Sequence, residues 1–123
     1  MIEAALVRSP LNTAVTQDSS ATLKCGSNVS NAFIKWYSNR FCESYDLKTC
    51  TSSILIYNGY SYVSNPLKFS ITKANNATHI TRDLNISSTQ LTDAGVYLCE
   101  EHIPGLAGVQ DSSFVQVIVL GNH

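Results

Sequence analysis

Three adjacent residues offer the most obvious chemistry in this chain: Glu100, Glu101 and His102, placed directly after Cys99. Carboxylates beside an imidazole are ingredients of general acid–base catalysis. Their spacing argues against it. The segment reads as a β-strand, where neighbouring side chains point to opposite faces, so Glu100 and Glu101 cannot flank one bond as paired glycosidase carboxylates must. No G-x-S-x-G, H-E-x-x-H or phosphate-cradling glycine loop accompanies them. His102 reads as a surface residue near a turn, and the two glutamates as a solvated strand end. Cys42 and Cys50 are too far apart for a C-x-x-C redox pair, and Glu43 and Asp46 are poor companions for thiolates in a metal centre. The expectation is a chain without catalytic residues, metal or cofactor.

Oxidised thiols are the better reading of the cysteines. Their even count, 4, is accompanied by Asn-x-Ser/Thr sequons at Asn28, Asn76 and Asn85, which favours a secreted or cell-surface domain carrying glycans. A length of 123 residues is that of one ordinary domain, expected to span 1–123. The formal net charge of −1, with 14% charged residues and no basic run, argues against a nucleic-acid or membrane-surface binder, both of which need a cationic excess. No apolar run approaches the roughly 20 residues of a membrane span. The opening "ALV" is too brief for a signal-peptide core, so an exported protein would have lost its targeting segments from this chain.

Apolar residues recur mostly at period two, in short runs bounded by Asn, Ser, Gly and Asp, which predicts an all-β chain. The expected strands are 3–8, 12–16, 19–26, 32–38, 53–58, 60–63, 67–73, 79–86, 95–102 and 112–120. Asn58-Gly59 between two strand-like runs predicts a type I′ hairpin, because both residues tolerate positive φ. Pro66 interrupts the sheet, since it cannot donate to an interior ladder. "STQLTDAG" predicts a short helical turn capped by Thr92 or Asp93.

The series "TLKC", "IKWY", "LNI" and "DAGVYLC" resembles the immunoglobulin domain across essentially the whole chain. The resemblance implies a Greek-key β-sandwich of two antiparallel sheets, with Cys25 on strand B bridged to Cys99 on strand F. Trp36 on strand C would pack on that bridge, and Tyr97 would form the tyrosine corner. Asp93 would pair with Lys68, which stands where relatives often carry Arg and would offer a single-point contact without the guanidinium fork. The interval between Cys25 and Cys99 suits the nine-strand variable type, or V-set, with "SILIYN" and "YSYV" as C′ and C″. Cys42 and Cys50 would then form a second bridge in the C–C′ connection. "SNRFCESYDLKTC" replaces the pairing turn of antibody chains, and their Phe-Gly-x-Gly bulge is absent. An innate-type receptor or adhesion domain, or an early-chordate variable-type receptor, is therefore expected.

Within that frame, alternation from Trp36 and Cys99 sends Phe33, Lys35, Tyr37, Leu98, Glu100, His102, Phe114 and Gln116 outward on strands C, F and G. Ile54 and Tyr57 of C′ join them only if the strand carries an irregularity, because they differ in parity. Phe33, Tyr37, Leu98 and Phe114 would form an exposed apolar cluster suited to a protein partner, a second copy or a related V domain. Asn28 and Asn76 belong to loops, and Asn85 points outward from the opposite sheet, so sugars would leave the face free. Thr16 is placed on the edge of that far sheet. Two alternatives stand beside this reading: a structural spacer in a longer surface protein, and ligand capture by the B–C, C′–C″ and F–G loops.

Overall fold

Short alternating runs can bury one face only by pairing into sheets that stack, and ten strands do so among the described residues. The computed structural model describes residues 6–8, 12–39, 54–62 and 64–121. The strands are β1 (Leu6–Arg8), β2 (Thr13–Thr16), β3 (Ala21–Leu23), β4 (Gly26–Ser27), β5 (Phe33–Asn39), β6 (Ile54–Tyr57), β7 (Phe69–Asn75), β8 (Ile80–Ile86), β9 (Gly95–His102) and β10 (Asp111–Leu120). One sheet runs β1-β4-β8-β3, with β7 also paired to β8; the other runs β2-β10-β9-β5-β6. Pairing is antiparallel except between β2 and β10, which are parallel. β2 therefore edges the second sheet, and Thr16, opposite Leu120, does not lie on the far sheet as its sequence suggested.

The core lies between the sheets. Leu23, Ile34, Trp36, Leu84, Ile86, Tyr97, Val115 and Val117 alternate inward from strands of both layers, around a disulfide joining Cys25 to Cys99. Trp36 is fully buried, and its indole N–H donates to the Arg82 carbonyl at 2.8 Å, which satisfies the one polar group that burial would otherwise strand. The expected strand 19–26 is split at Lys24-Cys25, where the Cys25 N–H turns to the Asp83 carboxylate at 3.2 Å instead of a ladder carbonyl.

A 3-10 turn at Leu91–Asp93 closes the lower end. Its cap is not Thr92: Asp93 reaches back to the Gln90 N–H at 2.8 Å, and the Tyr97 hydroxyl donates to the Asp93 carbonyl at 2.6 Å. The Asp93 carboxylate is buried but paired, with Lys68 Nζ at 2.8 Å. That ammonium also donates to the Ser87 and Ser88 carbonyls at 3.2 and 3.0 Å, so its single point on the carboxylate is supplemented by two backbone acceptors. Tyr97→Phe leaves the ring packed and orphans a buried carbonyl, so a loss of about 1–2 kcal/mol is expected in urea unfolding at unchanged slope.

The expected hairpin at Asn58-Gly59 takes another form. Gly59 has φ +99° but Asn58 does not enter positive φ. The Asn58 side chain accepts the N–H groups of Tyr60 and Ser61 at 2.9 and 2.8 Å, building a longer loop closed by a bridge between Tyr57 and Tyr62. The side-chain amide supplies an acceptor that two-residue turn geometry would have taken from the backbone. No C″ strand forms among the described residues. Cys42 and Cys50 lie outside the described residues.

Candidate protein-interaction face

The β10-β9-β5 ladder sets residues in rows across the outer face of the second sheet. Phe114 pairs with Leu98 and Leu98 with Tyr37; Ser112 pairs with Glu100 and Glu100 with Lys35; His102 pairs with Phe33. Gln116 follows on β10, opposite Val96. Directly paired residues share a face, so the sequence-derived residues of β5, β9 and β10 do come together.

Their exposure differs from expectation. Leu98, in the middle strand between Tyr37 and Phe114, is only 9% exposed, while Phe33, Tyr37 and Phe114 are half-buried. The apolar row is a packed surface with its aromatic rims open, not a wet cluster. Further along β10, Ile118 and Leu120 are exposed beside Ala14 and Thr16 of β2 and extend the apolar stripe.

β6 corrects two assignments. Its register slips between Trp36 and Tyr37, so that Tyr57 pairs with Trp36 and Leu55 with Tyr37. Tyr57 consequently faces inward and is 1% exposed, with its hydroxyl on the Gly59 carbonyl at 3.1 Å and Tyr62 and Lys73 around its ring. Ile54 pairs with Ser38 on the Trp36 side of the sheet, and Leu55 is the residue that shares Tyr37's face. An irregularity was required for Ile54 and Tyr57 to lie together; it is present, but it turns Tyr57 into the core.

Polar chemistry on the face converges on Glu100. His102 Nε2 lies 3.0 Å from its Oε1, and the Tyr37 hydroxyl also hydrogen-bonds to its carboxyl group. Burial, and then the neighbouring Glu100 charge and hydrogen bond, push the Tyr37 phenol above its usual range, so it remains a neutral donor. The His102 ring stacks on Phe33, centroids 5.1 Å apart, and the Tyr60 ring lies tilted against Phe33 at 5.3 Å. Lys35 Nζ lies 6.0 Å from the Phe33 centroid. Tyr60 is 69% exposed and was not among the residues that alternation identified, since its place depends on how the Asn58 loop folds back. A Cβ at Gly59 would come within 2.8 Å of the Phe33 ring, so glycine permits that approach.

Glu101 is the second residue whose setting was missed. It does point away from Glu100, but it is wholly buried at the end of the sandwich, where the Ser27 hydroxyl donates to its Oε2. Among the described residues no group of three or more His, Cys, Asp and Glu is placed to hold a metal, and no helix is long and apolar enough to cross a membrane.

No family model and no curated protein matches this chain. Solved structures do. The RIG-5 IG1 homodimer structure superposes with a TM-score of 0.69 at 13% identity, covering 91% of this chain and 92% of that one. Dpr2 Ig1-Ig2 in complex with DIP-Theta Ig1-Ig3 superposes at 0.65 with 18% identity, covering 94% of this chain and 34% of that one. The two-layer topology, the buried Cys25–Cys99 bridge with Trp36 and the Tyr97 corner define an immunoglobulin-type β-sandwich, and these neighbours share that fold.

Proposed function

We propose that this chain is a non-catalytic, extracellular V-type recognition domain, one domain over 1–123, that binds a protein of its own kind through the β10-β9-β5-β6 face. The observation that carries this reading is the row Phe114–Leu98–Tyr37 set beside a polar centre at Glu100 and the ring cluster of Tyr60, Phe33 and His102. An apolar middle with aromatic residues and a few satisfied polar groups is the composition of a protein interface. The partner is a second copy or a related V-type domain. RIG-5 IG1 was solved as a homodimer and Dpr2 in complex with DIP-Theta, which supports the same class of partner here.

The sequons are compatible with such a role. Asn76 is exposed in the β7–β8 turn, its Oδ1 held by the Thr78 and His79 N–H groups at 2.9 and 2.7 Å. Asn85 lies on the outside of the opposite sheet, between Thr22 and Thr72. Asn28, half-buried in the β4–β5 connection, is likewise off β5, β9 and β10. Sugars on the three leave those strands uncovered. The disulfide fits an oxidising compartment.

The test is self-association. Sedimentation of the purified domain over a rising concentration series is expected to shift from monomer to dimer mass. A domain that stays monomeric, and does not bind related V-type domains, would leave the spacer reading in its place. Exposed Leu106 and Val109 at the β9–β10 loop tip favour loop capture as a second reading, which would leave Tyr37 dispensable.

A further inference from the structure

Glu101 belongs to no part of the face. It sits on β9 with the inward parity of Tyr97 and Cys99, and its side chain is wholly buried. One oxygen accepts from Ser27 on β4, a strand of the other sheet; the other, Oε1, has no partner among the described residues. An ionised carboxylate with an orphan oxygen is costly in such a place, whereas the neutral acid is tolerated.

The surroundings carry no compensating cation among the described side chains. β10 contributes Asp111, paired directly opposite Glu101; β5 contributes Ile34; β4 contributes Ser27. Asp111 is itself engaged, accepting the Leu6 N–H from β1 at 2.9 Å. Glu100, His102 and Lys35 lie on the opposite face of the sheet. The same point organises both neighbouring loops: Ser27 Oγ also accepts the Val29 N–H at 3.0 Å, and the Glu101 carbonyl accepts the Gln110 N–H at 2.9 Å.

We propose that Glu101, buried against Ser27 and opposite Asp111, is a proton-sensitive latch that fastens the two sheets at the β4–β5 and β9–β10 loop end. It is closed while the carboxyl carries its proton and loosens when the proton leaves. Burial, the largest influence, raises the Glu101 titration above the ordinary value of 4.5; the Ser27 hydrogen bond opposes it, and the nearby Asp111 charge adds a lesser push upward. The sign follows from linkage. A carboxyl that holds its proton more tightly when folded contributes stability in full below the unfolded value, and loses it as pH rises through the folded one.

Urea unfolding, followed by Trp36 fluorescence from about pH 4.5 to 8, tests this on the wild-type domain and Glu101→Gln. The wild-type midpoint should fall with rising pH relative to the Gln variant, whose neutral amide cannot ionise. In the same interval the Val29 and Gln110 amides should exchange progressively faster in the wild type than in the variant. Midpoints that move in parallel across the range overturn the proposal. Should Glu101→Gln fail to fold, the Glu101 carboxyl of the wild-type domain is titrated directly by carbon NMR. A midpoint above the ordinary glutamate range supports the latch, and one within or below that range overturns it.

Discussion

Removing the central bridge, as Cys25→Ala with Cys99→Ala, is expected to cost the fold about 4–5 kcal/mol, on the loop-entropy account of a cross-link spanning a sequence separation of 74. Stabilities of single domains are about 5–15 kcal/mol, so this variant should be close to the unfolding threshold at room temperature. A further term acts in the same direction. Both sulfurs are fully buried in the contact layer of Trp36, and their replacement by alanine methyls leaves space in a close-packed interior. Trp36 reports the outcome, because its indole is held between the sheets by the Arg82 carbonyl. Urea unfolding by its fluorescence should show a large drop in midpoint; an unchanged midpoint would mean that sheet packing alone holds the layers.

Tyr37→Asp is expected to weaken self-association by about 2 kcal/mol or more, roughly thirtyfold in Kd, as a charge placed at an aromatic anchor would. Tyr37 is half-buried beside Leu98 and donates its hydroxyl to Glu100, so aspartate removes a ring and a donor and sets a second carboxylate next to the first. That repulsion also acts within the monomer. Tyr37→Ala separates the effects: it lacks the added charge and should still lose most of the association. Ala74→Asp, exposed on β7 of the other sheet, should associate as the wild type does. Sedimentation of the three variants beside circular dichroism reads both the association and the fold.

Alternation carried much of this architecture in the sequence. Once Cys25, Trp36, Tyr97 and Cys99 are set inward, the parities of β5, β9 and β10 follow, and the structure brings the residues so identified onto one face. Parity does not report burial. Leu98 points outward yet is covered by its neighbours, and Glu101 points inward into a site that its charge made easy to misread as solvated. Nor does it survive a register slip: one displaced residue between β5 and β6 turns Tyr57 into the core and puts Leu55 beside Tyr37. Tyr60 reaches the face through the Asn58 side chain and the positive φ of Gly59, a local hydrogen-bonding choice that strand periodicity cannot express. β2 joined the second sheet because a parallel pairing with β10 was open to it, and its four-residue pattern reads the same in either layer.

The most direct test of the interaction face is a residue-resolved map of self-association, from amide spectra of the isotope-labelled wild-type domain recorded at increasing concentration. Shifts and line broadening confined to Phe33, Tyr37, Leu55, Leu98, Glu100, His102 and Phe114, with β7 and β8 unmoved, are the predicted result. Perturbation centred on residues 103–110, on the β7-β8 sheet, or nowhere while mass rises would contradict it.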